Sequence, residues 1–189
     1  MHPSLKLFHT LELARDARET LCRVYESAFV MADQGHIPIV SYDLPDGTKL
    51  NLGPERYGIA ELLFDPTPLQ QGGADEDAYA GALGLADMVQ ESIMACEPET
   101  RRDLLTNVTM TGGVSATEGI SDRLFKELVA RGDTLGSRPK MAAASTQERA
   151  VGPWLGGSIL ASLGTFPDIW FSKAEYAEYG AKMLHRKAL

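Results

Sequence analysis

The hydrophobic period of this 189-residue chain changes several times along its length, and each change restricts what can form there. From Leu11 to Val24 the apolar positions Leu13, Ala17, Leu21 and Val24 recur at helical spacing, with Arg15, Asp16, Arg18 and Glu19 between them. That spacing predicts an amphipathic helix. Residues 37–53, IPIVSYDLPDGTKLNLG, change to a β-branched run, a Pro45-Asp46-Gly47 turn and alternation through Leu50 and Leu52. They predict a β-hairpin, its glycine supplying the positive φ such turns demand. The helical period returns at Leu85, Met88, Val89 and Ile93 and runs to Met94.

The remainder repeats the alternation. Arg101 to Leu105 leads into an expected strand at Asn107 to Met110, and after two glycines Ile120, Leu124, Leu128 and Val129 mark a further helix, ended by Gly132 as a C-cap. Lys140 to Ala144 reads as a short strand. WLGGSILASLGTF (154–166) places small residues in an apolar segment, as in a helix closely approached by other backbone. Ser172 with Glu175 three residues on makes a capping box that opens a helix through roughly Arg186. Residues 65–84, DPTPLQQGGADEDAYAGALG, have little to bury and read as a polar loop. Strands alternating with helices imply an α/β protein, and 44% hydrophobic residues can supply its core.

Charge and cysteine usage remove several function classes. With Lys+Arg 18 against Asp+Glu 26, the formal charge of −8 argues against a surface built to neutralise nucleic-acid phosphates or anionic lipid. Cys22 and Cys96 make no disulfide framework, and no apolar run approaches the roughly 20 residues needed to span a bilayer. The expectation is a protein that is neither secreted nor inserted in a membrane. His2, His9, His36 and His185 have no metal-ligand spacing, and Ser92, Ser115 and Ser158 lack a nucleophile-elbow context.

The stretch TMTGGVSATEG (109–119) is the one loop that points to a ligand. Glycines allow backbone to approach a nucleotide, and a following helix start offers free N–H groups. It is neither GxGxxG nor GxxxxGKS, and on the motif alone a plain strand-to-helix turn is the commoner explanation.

Read as whole segments, the chain resembles actin and the actin-related proteins at four places in order. ARDARETLCRV (14–24) is similar to the family's Arg-Asp-x-Lys-Glu-x-x-Cys helix. YDLPDGTKLNLGPERYGIAELLFDP (42–66) resembles its Leu-Pro-Asp-Gly hairpin with the following Gly-x-Glu-Arg and Leu-Phe-x-Pro. RRDLLTNVTMTGGVSATEGISDRLFKEL (101–128) matches the strand, Gly-Gly loop and helix, and ERAVGPWLGGSILASLGTFPDIWFSKAEYAEYGAKMLHRKAL (148–189) follows the family's C-terminus. The resemblance implies an actin-like, ribonuclease H-like ATPase fold that is incomplete. It would hold the second lobe plus the C-terminal helices of the first: a helix-and-hairpin unit over 1–84, a nucleotide-cleft unit over 85–150 and a first-lobe segment over 151–189.

By the same resemblance the nucleotide-binding candidates are Arg18 beside the base, Glu19 at the ribose, Gly112, Gly113 and Val114 of the loop, and Ala116, Thr117 and Ala150. Glu19 can accept from ribose hydroxyls and Arg18 can stack on a purine. Ala116 and Thr117 stand where conventional actin has a methionine and an aromatic residue, and Ala150 where it has a lysine. The lost apolar contact removes on the order of 1–3 kcal/mol of binding. ATP or ADP with Mg2+ or Ca2+ is the cofactor implied for a complete protein, none being expected on these 189 residues alone, and no catalytic or metal-binding residue is carried over.

Leu160, Leu163, Thr165 and Ile169 match one wall of the family's partner groove, into which an amphipathic helix could lay its apolar face, or else they are simply core. The polar insertion with Asp75, Glu76 and Asp77 disfavours a filament contact, since burying unpaired carboxylates is costly. The spacing from Cys22 to Leu44 and SLGTF (162–166) are similar to the nuclear actin-related proteins of type 4, although the closing HRK (185–187) is more like conventional actin. The implied role is a nucleotide-binding scaffold in a nuclear chromatin-remodelling or histone-acetylating complex, with a remodeller ATPase subunit and actin as the implied partners. The alternative is a cytoskeletal ATPase that polymerises into filaments.

Overall fold

The computed structural model describes residues 2–30, 37–68, 80–132 and 136–187. Helix α1 spans Pro3–Leu21, beginning eight residues before the first expected position. Its start is set by Pro3 in the first turn, whose missing N–H costs nothing there, and by His2, whose Nδ1 accepts from the Ser4 amide at 3.3 Å. The helix stops at Leu21 and not at Val24, because Cys22 is extended (ψ 143°) and the next residues turn to pair elsewhere.

Strands β1 (Val40–Asp43) and β2 (Lys49–Leu52) form the expected antiparallel hairpin, with Val40 opposite Leu52 and Asp43 opposite Lys49. Its turn closes through Leu44 N–H to the Thr48 carbonyl at 2.8 Å, with Gly47 at φ +82°. Helix α2 (Glu55–Glu61) follows at once. The polar loop lies largely outside the described residues, including its acidic triplet. Helix α3 covers Leu85–Met94, as the period predicts, and α4 covers Pro98–Leu105.

The expected strands at Asn107–Met110 and Lys140–Ala144 do not form as strands. They meet in a single parallel bridge, Val108 to Met141, held by Lys140 N–H to Leu105 O, Val108 N–H to Lys140 O and Ala142 N–H to Val108 O. A strand needs neighbours to satisfy its backbone, and among the described residues none lies on the far side of 107–111. The alternation was legible; the sheet it would build is reduced to one rung. Helix α5 (Ile120–Ala130) carries the chain between the two bridge partners. Gly132 is not its left-handed cap: Arg131 takes the C-cap position at φ −90°, and Gly132 has no positive φ.

The core sits where α2, α3, α4 and α5 converge. Phe64, Ala86, Ile93, Leu105, Ile120, Leu124 and Leu128 are buried there together with Val24 and Ala60. Helix α6 (Thr146–Ser162) is opened by a Ser145–Glu148 capping box, and none of its residues is buried. The expected close approach at Gly156 and Gly157 is absent within the described chain: a Cβ at either would meet nothing within 4 Å. Helix α7 (Lys173–Tyr179) has the expected Ser172–Glu175 box, but it ends at Gly180 (φ +64°), and a 3-10 turn leads into the short α8 (Leu184–Lys187).

Candidate functional site

The Gly-Gly loop folds as a single 3-10 turn over Gly113–Ala116, entered through Gly112 at φ +93°. The Ser115 hydroxyl and amide both reach back to the Gly112 carbonyl, at 2.6 and 3.1 Å, and bury Ser115. The α-helix does not start directly after the glycines. It waits until Ile120, after Gly119 at φ +85°, so the free N–H groups beside the glycines belong to the 3-10 turn. Gly112 needs glycine for its backbone. Gly113 does not: it has no positive φ, and a Cβ there would enter open space. Its lack of a side chain answers no demand within the described chain, which is the condition for backbone to meet a ligand.

Two stitches hold other segments to this loop. On one side the Gly112 N–H donates to the Arg149 carbonyl of α6 at 2.9 Å, and Thr111 touches Gly152 at 3.9 Å from a Cβ placed there. On the other, the exit of α1 runs parallel to the end of the loop. Arg23 bridges Glu118, the Val24 N–H donates to the Glu118 carbonyl at 2.9 Å, and the Arg23 and Glu118 side chains pair at 2.6 Å. Arg18 and Glu19 thus sit in the last turn of the helix whose exit is tied to the loop. They pair with each other at 3.1 Å and remain open to solvent.

The expected residues are therefore held on three linked segments. A cavity of about 350 Å³ beneath the loop draws on Val114 and Ser115 with Leu63, Leu85, Val108 and Met110, but on none of the other seven nucleotide candidates. Ala116 and Thr117 are half-buried and Ala150 is exposed on α6. Tested against a nucleoside triphosphate, the groups present suit its sugar and base side: the Glu19 carboxylate and the Arg18 guanidinium, paired with each other and reached by solvent, and an open glycine backbone. For the cation they offer nothing, because no group of three His, Cys, Asp or Glu among the described residues could hold a metal ion.

The residues of the expected partner groove lie at the surface of the described chain. Leu160 and Leu163 are 40% and 49% exposed, Thr165 is exposed and Ile169 half-buried, so these residues are not core of the described chain. They continue an apolar surface with Leu155, Ile159 and Trp154, the last 74% exposed.

Three features went unseen in the sequence. The Ser145–Glu148 box was present as S-x-x-E at the head of α6, and its hydrogen bonds to Ser145 hold the Glu148 carboxyl below the usual range. Arg149, one residue from Ala150, has a buried Nε with no hydrogen-bond partner. Arg123 reads as one more charge on a helix, yet it is buried among three segments, a placement no local spacing could disclose.

The family model described as Actin matches residues 1–189. The chain is 36% identical over 187 residues to Actin-related protein 4 of Arabidopsis thaliana, and 37% identical over 187 residues to Actin-related protein 4 of Oryza sativa, in both the indica and japonica subspecies. In each case the match takes in 97% of this chain and 42% of the relative, so the chain spans less than half the length of these relatives. Mixed helices with a small sheet over that partial span are an incomplete actin-like fold. The Leu-Pro-Asp-Gly hairpin, the Gly-Gly loop stitched between α1 and α6, and a match over its whole length make this chain a member of the actin family.

Proposed function

We propose that the chain is the nucleotide-facing and partner-binding portion of an actin-related scaffold protein, one that binds ATP or ADP without hydrolysing it and works in a nuclear chromatin-remodelling or histone-acetyltransferase complex. The observation that carries the scaffold reading is α6: a 17-residue helix with no buried residue, on which Trp154, Leu155, Ile159 and Leu160 are all exposed. Apolar area of this kind is normally covered by another protein surface. In this reading an amphipathic helix of a large ATPase subunit lies across Leu160, Leu163, Thr165 and Ile169, with actin as a neighbouring subunit.

The nucleotide reading rests on the open backbone at Gly113 and on Glu19 and Arg18, in the last turn of the helix whose exit is tied to the loop. The Glu19 carboxylate accepts from ribose hydroxyls, the Arg18 guanidinium lies against the base, and Ala116, Thr117 and Ala150 leave the base loosely held. The resemblance carries over no catalytic or metal-binding residue to these positions, which is the basis for binding without hydrolysis. Its nuclear setting is supported by the identity to proteins named Actin-related protein 4.

The test is tagged expression in cells, with nuclear fractionation and identification of co-purified subunits, run beside ATP-dependent co-sedimentation. Co-elution with a remodelling or acetyltransferase assembly and a protein that stays in the supernatant are expected. ATP-dependent pelleting as filaments would establish the cytoskeletal alternative in its place.

A further inference from the structure

A second recess lies on the opposite side of the stitched α1 exit and belongs to none of the expected sites. It holds about 440 Å³ and is walled by Val24, Tyr25 and Tyr57, with Glu26, Glu118 and Asp122 at its sides. The two tyrosine rings meet edge to face, 5.6 Å apart at 89°, and Phe29 packs against both. That three-ring cluster fixes the wall.

The charges in the recess are not equivalent. Arg56 is buried, lies 5.5 Å from the Tyr57 ring and spends its donors on the Gly53 and Pro38 carbonyls. Arg23 is paired with Glu118, and Glu26 with Lys126 at 2.7 Å. Asp122 is different. It is exposed at the start of α5, and among the described residues no ion pair or hydrogen bond reaches its carboxylate. The Glu118 and Glu26 pairs are solvent-exposed, and such pairs exchange partners at little cost. The lining therefore sets three carboxylates against the guanidiniums of Arg23 and Arg56, a net charge of −1 beside an aromatic wall, with Asp122 the carboxylate that has no partner among the described residues.

We propose that this recess receives a single basic side chain of a protein partner, its aliphatic stem lying on Tyr25 and Tyr57 and its cationic head between Asp122 and Glu118. Long basic side chains bury an apolar stem while the head stays polar, and a guanidinium can donate to two carboxylates at once. The chain's acidity favours the approach of a basic segment. This contact shares Glu118 with the stitch that ties α1 to the loop, but it uses none of the nucleotide candidates and lies apart from the α6 helix, so its test does not depend on nucleotide binding.

The experiment follows amide shifts of the 189-residue chain by NMR in physiological salt during titration with three capped pentapeptides, Gly-Gly-X-Gly-Gly, in which X is Arg, Lys or Glu. The Arg or Lys peptide is expected to move Tyr25, Tyr57 and Asp122. Asp122→Asn should weaken its binding about fivefold, the scale of one exposed ion pair, and Glu99→Gln, the same charge change on α4, less than twofold. An unchanged melting curve of Asp122→Asn separates lost contact from lost fold. Equal weakening by both variants, binding of the Glu peptide as tight as the basic ones, or no movement at Tyr25 and Tyr57 would each overturn the assignment.

Discussion

Arg123 grips Glu61 through two parallel hydrogen bonds, NH2 to Oε1 at 2.7 Å and NH1 to Oε2 at 3.0 Å, with both side chains buried. The same guanidinium donates from Nε to Glu127 at 2.6 Å and from NH1 to the carbonyls of Tyr25 and Ser27, and it lies 4.8 Å from the Phe64 ring. One side chain thereby joins α2, α5 and the strap that follows α1. Removing one member of a buried pair leaves the other charge without solvent or partner, so Arg123→Met should cost about 3–5 kcal/mol, whereas Arg123→Met with Glu61→Leu should recover most of it. Urea unfolding of the single and double variants checks this.

Gly113, the first residue of the 3-10 turn, and Gly119, which precedes α5, should respond differently to the same substitution. Gly119 has φ +85° and its Cβ would stand 2.5 Å from the Val24 carbonyl oxygen, so Gly119→Ala should destabilise by about 1–3 kcal/mol. Gly113→Ala meets nothing and should leave stability within about 0.5 kcal/mol. If the loop cradles a nucleotide, Gly113→Ala should nevertheless weaken binding of a fluorescent ATP analogue. Thermal melts and an equilibrium titration on both variants separate the two roles.

At the C-terminal end Glu175 accepts from Lys187 at 2.6 Å and from the Ser172 amide at 2.9 Å. Its carboxyl is lowered to about 2 from 4.5, first by the Lys187 hydrogen bond and then by those to Ser172. A carboxyl depressed in the folded state contributes stability that is complete above its unfolded value and lost as pH falls toward the folded one. The link between α7 and α8 should therefore be indifferent to pH above about 4.5 and loosen from there down to about 2. A carbon-detected NMR titration of Glu175 should give its midpoint near 2, moving up in Lys187→Met.

Trp154 and Trp170 are 74% and 58% exposed, so both should be open to acrylamide quenching in the chain alone. Leu160→Asp should lower the melting temperature only modestly, because that side chain is 40% exposed and outside the buried core, yet it should abolish capture of a helical partner. Protection of Trp154 on addition of the partner, present in the parent chain and absent in the variant, is the readout.

What the sequence disclosed was set by local geometry. The Pro45-Asp46-Gly47 turn, the α3 period from Leu85 and the Ser172–Glu175 box depend on neighbours within a few residues, and they stand where expected. The strand at Asn107–Met110 depends on pairing with distant chain; with one parallel partner at Met141 it stays a single rung. Gly132 read as a cap because glycine often ends helices, but Arg131 closes α5 by bonding Asp87 and the Glu127 carbonyl. Arg18 and Glu19 were placed by family likeness, and their tie to the loop runs through Arg23 and Glu118, a contact between residues 95 positions apart. No periodicity carries that information.

Among the described residues, helix α1 is held at one end only. Its buried residue is Leu21, Tyr42 of the hairpin donates to Asp16, and from Pro3 to Leu11 every residue is exposed. From Asp16 to Pro3 the rod extends about 20 Å at 1.5 Å per residue, so a tilt of about 6° at its root sweeps the tip by about 2 Å. Arg18 and Glu19 lie at that root, between the Tyr42 contact and the Arg23 bridge. Mechanically α1 is a cantilever, and whatever seats itself against its fixed end is magnified at Leu5 and Phe8, at the free one.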